Sequence, residues 1–474
     1  MKEQNSNTEA TAFTVEQRGI DLVPENERHG SPRDLIWFWA GTNMSVFAVV
    51  YGPVLIAMGL SLAEATIAII IGNVVSYAVL GLTSLQGPKV GTSTMVISRA
   101  AFGPNAARGY AFLNWISIVG FEAIGLALMV AAAKSVFGYF DIEIGMPGTI
   151  ALLICLALLQ LLLPRLGYQA LMLVKKYFTA IFFIAFGAIA IYILPNADYS
   201  SLAGGGGRAA LFAGIMLMLA SGGFSWAGTG SDYTRYLPKN TSSRRIWWAV
   251  VIGNCIPIIA LQILGAAVAS VTPLAEDPIS GIPSALPDVF FVPYVVIAIL
   301  TLLSINASSM YSSGLNLQTL GLKVRRTRAV FFDLIVGGTI AFFAVLAPTF
   351  EDALGVFLSL FGLWVAPWAG VYLCDWIARR GKYDAESLFP TPTNKGMYWG
   401  IGGVRWSAVV AQVGGMIFGG LWAEVEGVFT GPLMQASGGV NLSIPIGFIM
   451  GFLVYLLLAK KAPEPERPGL GQLR

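Results

Sequence analysis

About twelve long apolar segments run through this chain, near 35–60, 63–86, 108–137, 148–164, 170–195, 209–236, 245–272, 290–321, 328–349, 353–378, 400–424 and 440–460. A hydrocarbon core about 30 Å thick needs roughly 20 apolar residues in helical form. Only helices and closed barrels satisfy their backbone polar groups inside it. Barrel strands would be runs of about ten residues alternating in polarity, whereas these segments are longer and do not alternate. The chain therefore reads as an all-α polytopic membrane protein. Composition agrees, since 56% of the 474 residues are hydrophobic and 12% charged, against about 25% charged in soluble domains.

Loop charge orients the segments. With the N-terminus in the cytoplasm, inner loops receive Arg99, Arg108, Arg165, Lys175, Lys176, Arg235, Lys239, Arg244, Arg245, Lys323, Arg325, Arg326, Arg328, Arg379, Arg380 and Lys382. Outer loops receive Asp141, Glu143, Asp198, Glu276, Asp277, Glu351, Asp352, Glu424 and Glu426, with only Lys134 and Arg208 near them. Positive charge stays with cytoplasmic loops, so an even number of helices with both termini inside a plasma or inner membrane is expected. The expected division is a cytoplasmic tail over 1–33, a transmembrane domain over 34–460 and a disordered cytoplasmic tail over 461–474. The first 30 residues lack an apolar stretch, so no signal peptide is expected.

The same residues speak against several function classes. His29 is the only histidine, and Cys155, Cys255 and Cys374 stand apart in apolar segments. No metal spacing, disulfide framework or nucleophile with a histidine partner is present, so an enzyme is not expected. No cofactor is expected, and no nucleic acid partner.

Two segments lose their hydrophobicity partway across. The first, "LIWFWAGTNMSVFAVVYGPVLIAMGL", carries Gly41, Thr42, Asn43, Ser45, Gly52 and Pro53. The sixth gives way to "SGGFSWAGTGSDYTRYLP" from 221 to 238, and both contain "WAGT", at 39–42 and 226–229. Interrupted helices at corresponding places in two halves mark transporter binding sites, because unwound backbone must face protein or a water-filled cavity. Two five-helix repeats, about 34–195 and 209–380, followed by two extra helices over 397–460, fit this pattern. Single glycines and the pair Gly415 and Gly419 read instead as close helix packing.

The eighth segment carries two polar stripes at helical spacing. Thr301, Ser304, Ser308 and Ser312 form one, and Asn306, Ser309, Ser313 and Asn316 the other. A helix facing lipid would not carry them, so they are expected to line an interior site. Glu122 lies well inside the third segment, where an unpaired carboxylate costs at least a few kcal/mol. It is either a proton-binding group or a structural hydrogen-bonding partner. Asp232 reads as a structural anchor, three residues before Arg235. Phe121, Phe224 and Trp226 adjoin the breaks. Flat rings beside amides and hydroxyls suit a flat heterocycle.

The stretches "GPKVGTSTMVISRAAFG", "VGFEAIG", "GFSWAGTGSDYTRYLP", "MYSSGL" and "APWAGVYLCDWIARRGKY" resemble the purine–cytosine permease (nucleobase–cation symporter) family, and the likeness covers nearly the whole chain. The resemblance implies twelve helices of LeuT type, a five-plus-five inverted repeat with discontinuous first and sixth helices and two C-terminal helices. It implies symport of a nucleobase with H⁺ or Na⁺ by alternating access. It places the ligand among Asn43, Ser45, Phe121, Gly125, Gly223, Phe224, Trp226, Asn306 and Ser309, and the cation or proton near Gly41, Ser45, Ser304 and Glu122. The family often has Trp at the place of Phe121 and Gln or Asn at the place of Gly125. One hydroxyl of the implied Na⁺ site is Ile305 here, which together with Glu122 favours H⁺. Allantoin or hydantoin, thiamine or a pyridine are alternative ligands, and a passive channel an alternative activity. The expected partners are a small heterocycle and the lipid bilayer, and the expected unit is a monomer.

Overall fold

A computed structural model describes residues 18–271, 281–283, 286–322, 326–346, 350–425 and 427–459. The expected disordered tail over 461–474 and the loop charges Glu276, Asp277, Lys323, Arg325 and Glu426 lie outside the described residues. The main helices are α1 (Pro32–Asn43), α2 (Val46–Ala57), α3 (Leu62–Thr83), α4 (Pro104–Tyr139), α5 (Met146–Leu159), α6 (Tyr168–Ile193) and α7 (Gly207–Ser221). They continue with α8 (Gly223–Ala227), α9 (Ser243–Val268), α10 (Phe291–Thr319), α11 (Arg326–Leu346), α12 (Phe350–Ala378), α13 (Trp406–Gly420) and α14 (Ser443–Ala459). Among the described residues nine helices are long and apolar enough to cross a membrane, and α1 with α2 forms a tenth span, bent by 58°. The twelve-helix expectation also counts α13 and α14, which at 15 and 17 residues reach about 23 and 26 Å at 1.5 Å per residue.

The first break falls at Met44 and Ser45. Thr42 and Asn43 close α1, and Ser45 is extended, with φ −135° and ψ 148°. Its Oγ caps α2 by accepting from Phe47 N at 3.2 Å. Val46 N donates to Thr301 Oγ1 of α10, also at 3.2 Å. The free N–H groups that any helix start leaves over are thus satisfied by side chains, which lets the chain turn inside an apolar layer. The first "WAGT" stays helical. The second does not, because α8 ends at Ala227 and regular α-helix resumes only at Ser243.

The second break is held against α3. Gly223 N donates to Ser76 Oγ at 2.8 Å, and a Cβ on Gly223 would lie 2.2 Å from Ser76 O. Glycine is therefore required for close approach at this position. Asp232 anchors the following turn by accepting from Thr94 N at 2.9 Å and Thr94 Oγ1 at 3.2 Å. Gly415 and Gly419 of α13 lie against Gly447 and Ser443 of α14, the packing role expected of them.

One end of the molecule gathers the N-terminal segment, the turn after α3 and the end of the second break. Val23 N donates to Gly91 O at 2.8 Å and His29 N to Tyr236 O at 2.6 Å. At the other end Leu62 N donates to Leu202 O at 3.0 Å. Three positive charges assigned to loops are buried: Arg99, which donates to Leu388 O at 2.9 Å, Arg235 and Lys175. Arg235 is wholly buried, donating to Gly19 O at 2.5 Å and Tyr311 Oη at 2.9 Å. Lys175 lies two turns inside α6 and is wholly buried, while Lys176 is exposed. Neighbours on a helix point about 100° apart, so the pair "KK" divides between an interior and an exterior face.

Candidate functional site

The two breaks face one cavity, with α4 and α10 opposite. Asn43, Ser45, Phe47 and Tyr51 line it from the first broken span, and Ser221, Ser225 and Trp226 from the second. Phe121 and Gly125 come from α4, and Asn306 and Ser309 from α10. Trp226 is held edge-to-face by Trp39, with ring centres 5.6 Å apart and planes at 79°. The two tryptophans of the repeated "WAGT" therefore meet. Phe121 is fixed edge-to-face by Phe357 at 5.0 Å and Phe361 at 5.7 Å.

Seven of the nine expected ligand residues come together here. Gly223 and Phe224 do not line the cavity. Gly223 serves the contact with α3 already described. Phe224 packs on Phe448 of α14 with ring centres 6.1 Å apart. The reason is helical phase, because α8 turns Phe224 away when it turns Trp226 inward. Asn43 reaches the cavity with its amide engaged. It donates to Asn254 Oδ1 and accepts from Tyr77 Oη at 3.3 Å. Phe47 and Tyr51 were missed, although they are spaced i,i+4 beside a break, the signal that would have found them; Ser221 and Ser225 of the second break line the cavity as well.

The stripes of α10 divide between two tasks. The first is stitched to the broken spans. Thr301 receives Val46 N, Ser308 lies 3.3 Å from Thr42 Oγ1, and Ser312 Oγ donates to Tyr233 Oη at 2.8 Å. The second reaches the cavity through Asn306 and Ser309. Asn306 Nδ2 donates to Glu122 O at 3.0 Å and to Gln160 Oε1 at 3.1 Å. Gly125 leaves room for this amide, since a Cβ there would lie 2.7 Å from Asn306 Oδ1. The polar group that α4 lacks at this position is supplied across the interface by α10.

Beside the cavity, Ser304 Oγ donates to Gly41 O at 2.8 Å. Lys175 Nζ donates to Ser304 O and lies 5.8 Å from the centre of the Phe38 ring. The lysine amine thus sits beside Ser304, whose hydroxyl holds the α1 carbonyl of Gly41, next to the residues expected to hold a cation. Glu122 is elsewhere. It is buried but does not line the cavity, and its Oε1 has no hydrogen-bond partner among the described residues. Its electrostatic neighbour is Asp333 of α11, which accepts from Trp115 Nε1 at 2.7 Å.

Two interrupted spans around one cavity, beside the polar face of a third helix, define an all-α polytopic transporter of LeuT type. The sequence pattern of the family described as permeases for cytosine/purines, uracil, thiamine and allantoin matches residues 22–448. The chain belongs to this permease family. Bacillus subtilis YxlA, provisionally named a purine-cytosine permease, is 28% identical over 94% of this chain and 96% of its own. The purine-cytosine permease fcyB of Emericella nidulans is 26% identical, covering 95% of this chain and 89% of its own. Mhp1, a nucleobase-cation-symport-1 family transporter solved closed with bromovinylhydantoin bound, has the same fold. Its TM-score is 0.76 at 17% identity, over 94% of this chain and 96% of that one.

Proposed function

We propose that this permease is a secondary importer of a nucleobase, of the cytosine or purine type, coupled to H⁺ by alternating access. The observation that carries the reading is the cavity between the breaks, with Phe121 and Trp226 on its walls and Asn306 and Ser309 at α10. Rings flank a flat heterocycle, and amide and hydroxyl groups meet its edges. A hydantoin-type ring is the second reading, favoured by the ligand bound in Mhp1.

Lys175 supports the proton over Na⁺. Its amine makes the contact to Ser304 O, while the hydroxyl of the same serine occupies Gly41 O. A lysine carries its positive charge as a removable proton, and an ammonium buried without a carboxylate is costly. Among the described residues Lys175 has no salt bridge. Its protonation strengthens the bond to Ser304 O of α10 and the attraction to the Phe38 ring of α1, and its deprotonation weakens both as the helices rock. The repeats are placed at about 34–195 and 209–380, with the last two helices over 397–460. Basic residues such as Lys89, Lys239 and Arg379 fit a cytoplasmic location for the end that carries the N-terminal segment, in a plasma or inner membrane. The proposed working unit is a monomer.

The test is uptake by the purified chain in proteoliposomes at a clamped potential. Cytosine, uracil, adenine, guanine, hypoxanthine, allantoin and thiamine are offered with and without an inward proton gradient and with and without Na⁺. Accumulation of a base above equilibrium, driven by the proton gradient and indifferent to Na⁺, is expected. Equilibration without accumulation would mean a channel, and stimulation by Na⁺ would remove the coupling role given to Lys175.

A further inference from the structure

We propose that Gln160, at the end of α5, is a positioning residue for ligand recognition: it fixes Asn306 as a hydrogen-bond acceptor toward the cavity, so that the site takes a ligand edge that donates N–H. The inference rests on the cavity being the ligand site.

The argument starts from the valence of one amide. A side-chain amide has two N–H donors and one carbonyl acceptor. Both donors of Asn306 are committed, one to Glu122 O at 3.0 Å and one to Gln160 Oε1 at 3.1 Å. Glu122 O is a backbone carbonyl and can only accept, so a flipped Asn306 would set oxygen against oxygen. Gln160 holds the remaining N–H. Asn306 is 2% exposed and Gln160 4%, so water does not replace either bond. The group left over is Asn306 Oδ1, which accepts from none of the described residues and belongs to a side chain that lines the cavity.

Two hydroxyls of the wall are committed in the same sense. Ser221 Oγ donates to Leu217 O at 2.7 Å, and Ser225 Oγ donates to Gly222 O at 2.6 Å. Each keeps only lone pairs for a ligand. Ser45, Tyr51 and Ser309 elsewhere on the wall keep hydroxyls that can donate, so the acceptor character is local, at Asn306 and on the side of Ser221 and Ser225. A buried acceptor left unpaired by its ligand loses more than a bond gains, so the Asn306 position selects against a ligand atom that brings another acceptor to it.

The experiment uses the purified full-length protein and equilibrium binding of two matched pairs, cytosine with uracil and adenine with hypoxanthine. Within each pair an exocyclic amino donor replaces an oxo acceptor and the adjacent ring nitrogen changes from N–H donor to acceptor, at nearly constant size, so the pairs read which of the two positions faces Asn306. The wild type is expected to bind the amino member about tenfold more tightly in at least one pair. Gln160→Met keeps the length of the side chain and removes its acceptor, so that Asn306 is held by Glu122 O alone and can turn its second N–H toward an oxo group while keeping that bond. The preference should then fall to about threefold or less, with the affinity for the amino member within about threefold. Gln160→Glu keeps an oxygen for Asn306 and should retain the wild-type preference.

Equal affinities in both pairs for the wild type would overturn the proposal. So would an unchanged preference in Gln160→Met, or an equal loss for both members, which would mark Gln160 as merely structural. If Gln160→Met does not fold, the wild-type preference and its retention in Gln160→Glu decide. Binding of no base to the wild type would remove the proposed function and this inference together, whereas binding without preference removes this inference alone.

Discussion

α10 has a buried charged residue on either side, and the two are handled differently. Lys175 reaches it from α6 and touches Ser304 O, whose own hydroxyl holds Gly41 of α1. Glu122 reaches it from α4 and gives Asn306 its backbone carbonyl, while its side chain is buried outside the cavity lining. The lysine thus sits where three helices meet, one of them interrupted. The glutamate lies among α4, α10 and α11, which form continuous packed neighbours. A proton changes the balance between two conformations only if its site differs between them. The joint at Lys175 includes the broken span that alternating access must move, whereas the surroundings of Glu122 can travel as one block. Burial alone therefore does not identify a coupling residue.

The sharpest way to break this comparison is Lys175→Met. The variant keeps the length of the side chain and removes the charge. Proton-driven accumulation in proteoliposomes should fall by at least tenfold, to near equilibrium, with ligand binding at fixed pH reduced less than accumulation. Accumulation within twofold of the wild type would sink the coupling role.

Trp226→Ala is next in size. It removes a wall of the cavity together with an edge contact to Trp39. Loss of one stacked ring is worth about 1–2 kcal/mol, roughly five- to thirtyfold in the dissociation constant. Affinity for the best heterocycle is the measurement, and a change below twofold would remove the stacking role.

Much of this site was legible in the sequence. The breaks showed as glycines and hydroxyls within apolar runs, and the stripes of α10 showed because serine and asparagine at helical spacing have no reason to face lipid. What remained hidden depends on helical phase and on contacts distant in sequence. Gly223 and Phe224 stand in the same short stretch as Trp226, and only the turn of α8 decides that they face α3 and α14. Lys175 stood beside Lys176 near the start of a segment, where two lysines read as a loop charge. Gln160 is a single amide near a helix end, and its meaning comes from Asn306, 146 positions away.

The smallest effect expected is that of Glu122→Gln, and it tests the other half of the comparison. The substitution keeps the shape of the side chain and leaves the backbone carbonyl that Asn306 uses. It removes a titratable proton and nothing else that the cavity touches. If Glu122 is a structural group of the α4–α10–α11 block, accumulation driven by a proton gradient should stay within about threefold of the wild type, a change of order 0.6 kcal/mol. Its dependence on external pH should keep the same midpoint, because the proton that matters is on Lys175. Uptake measured across external pH values reads both quantities. Loss of accumulation with binding intact would restore Glu122 as the coupling residue and leave Lys175 as a fixed cation that replaces Na⁺ without titrating.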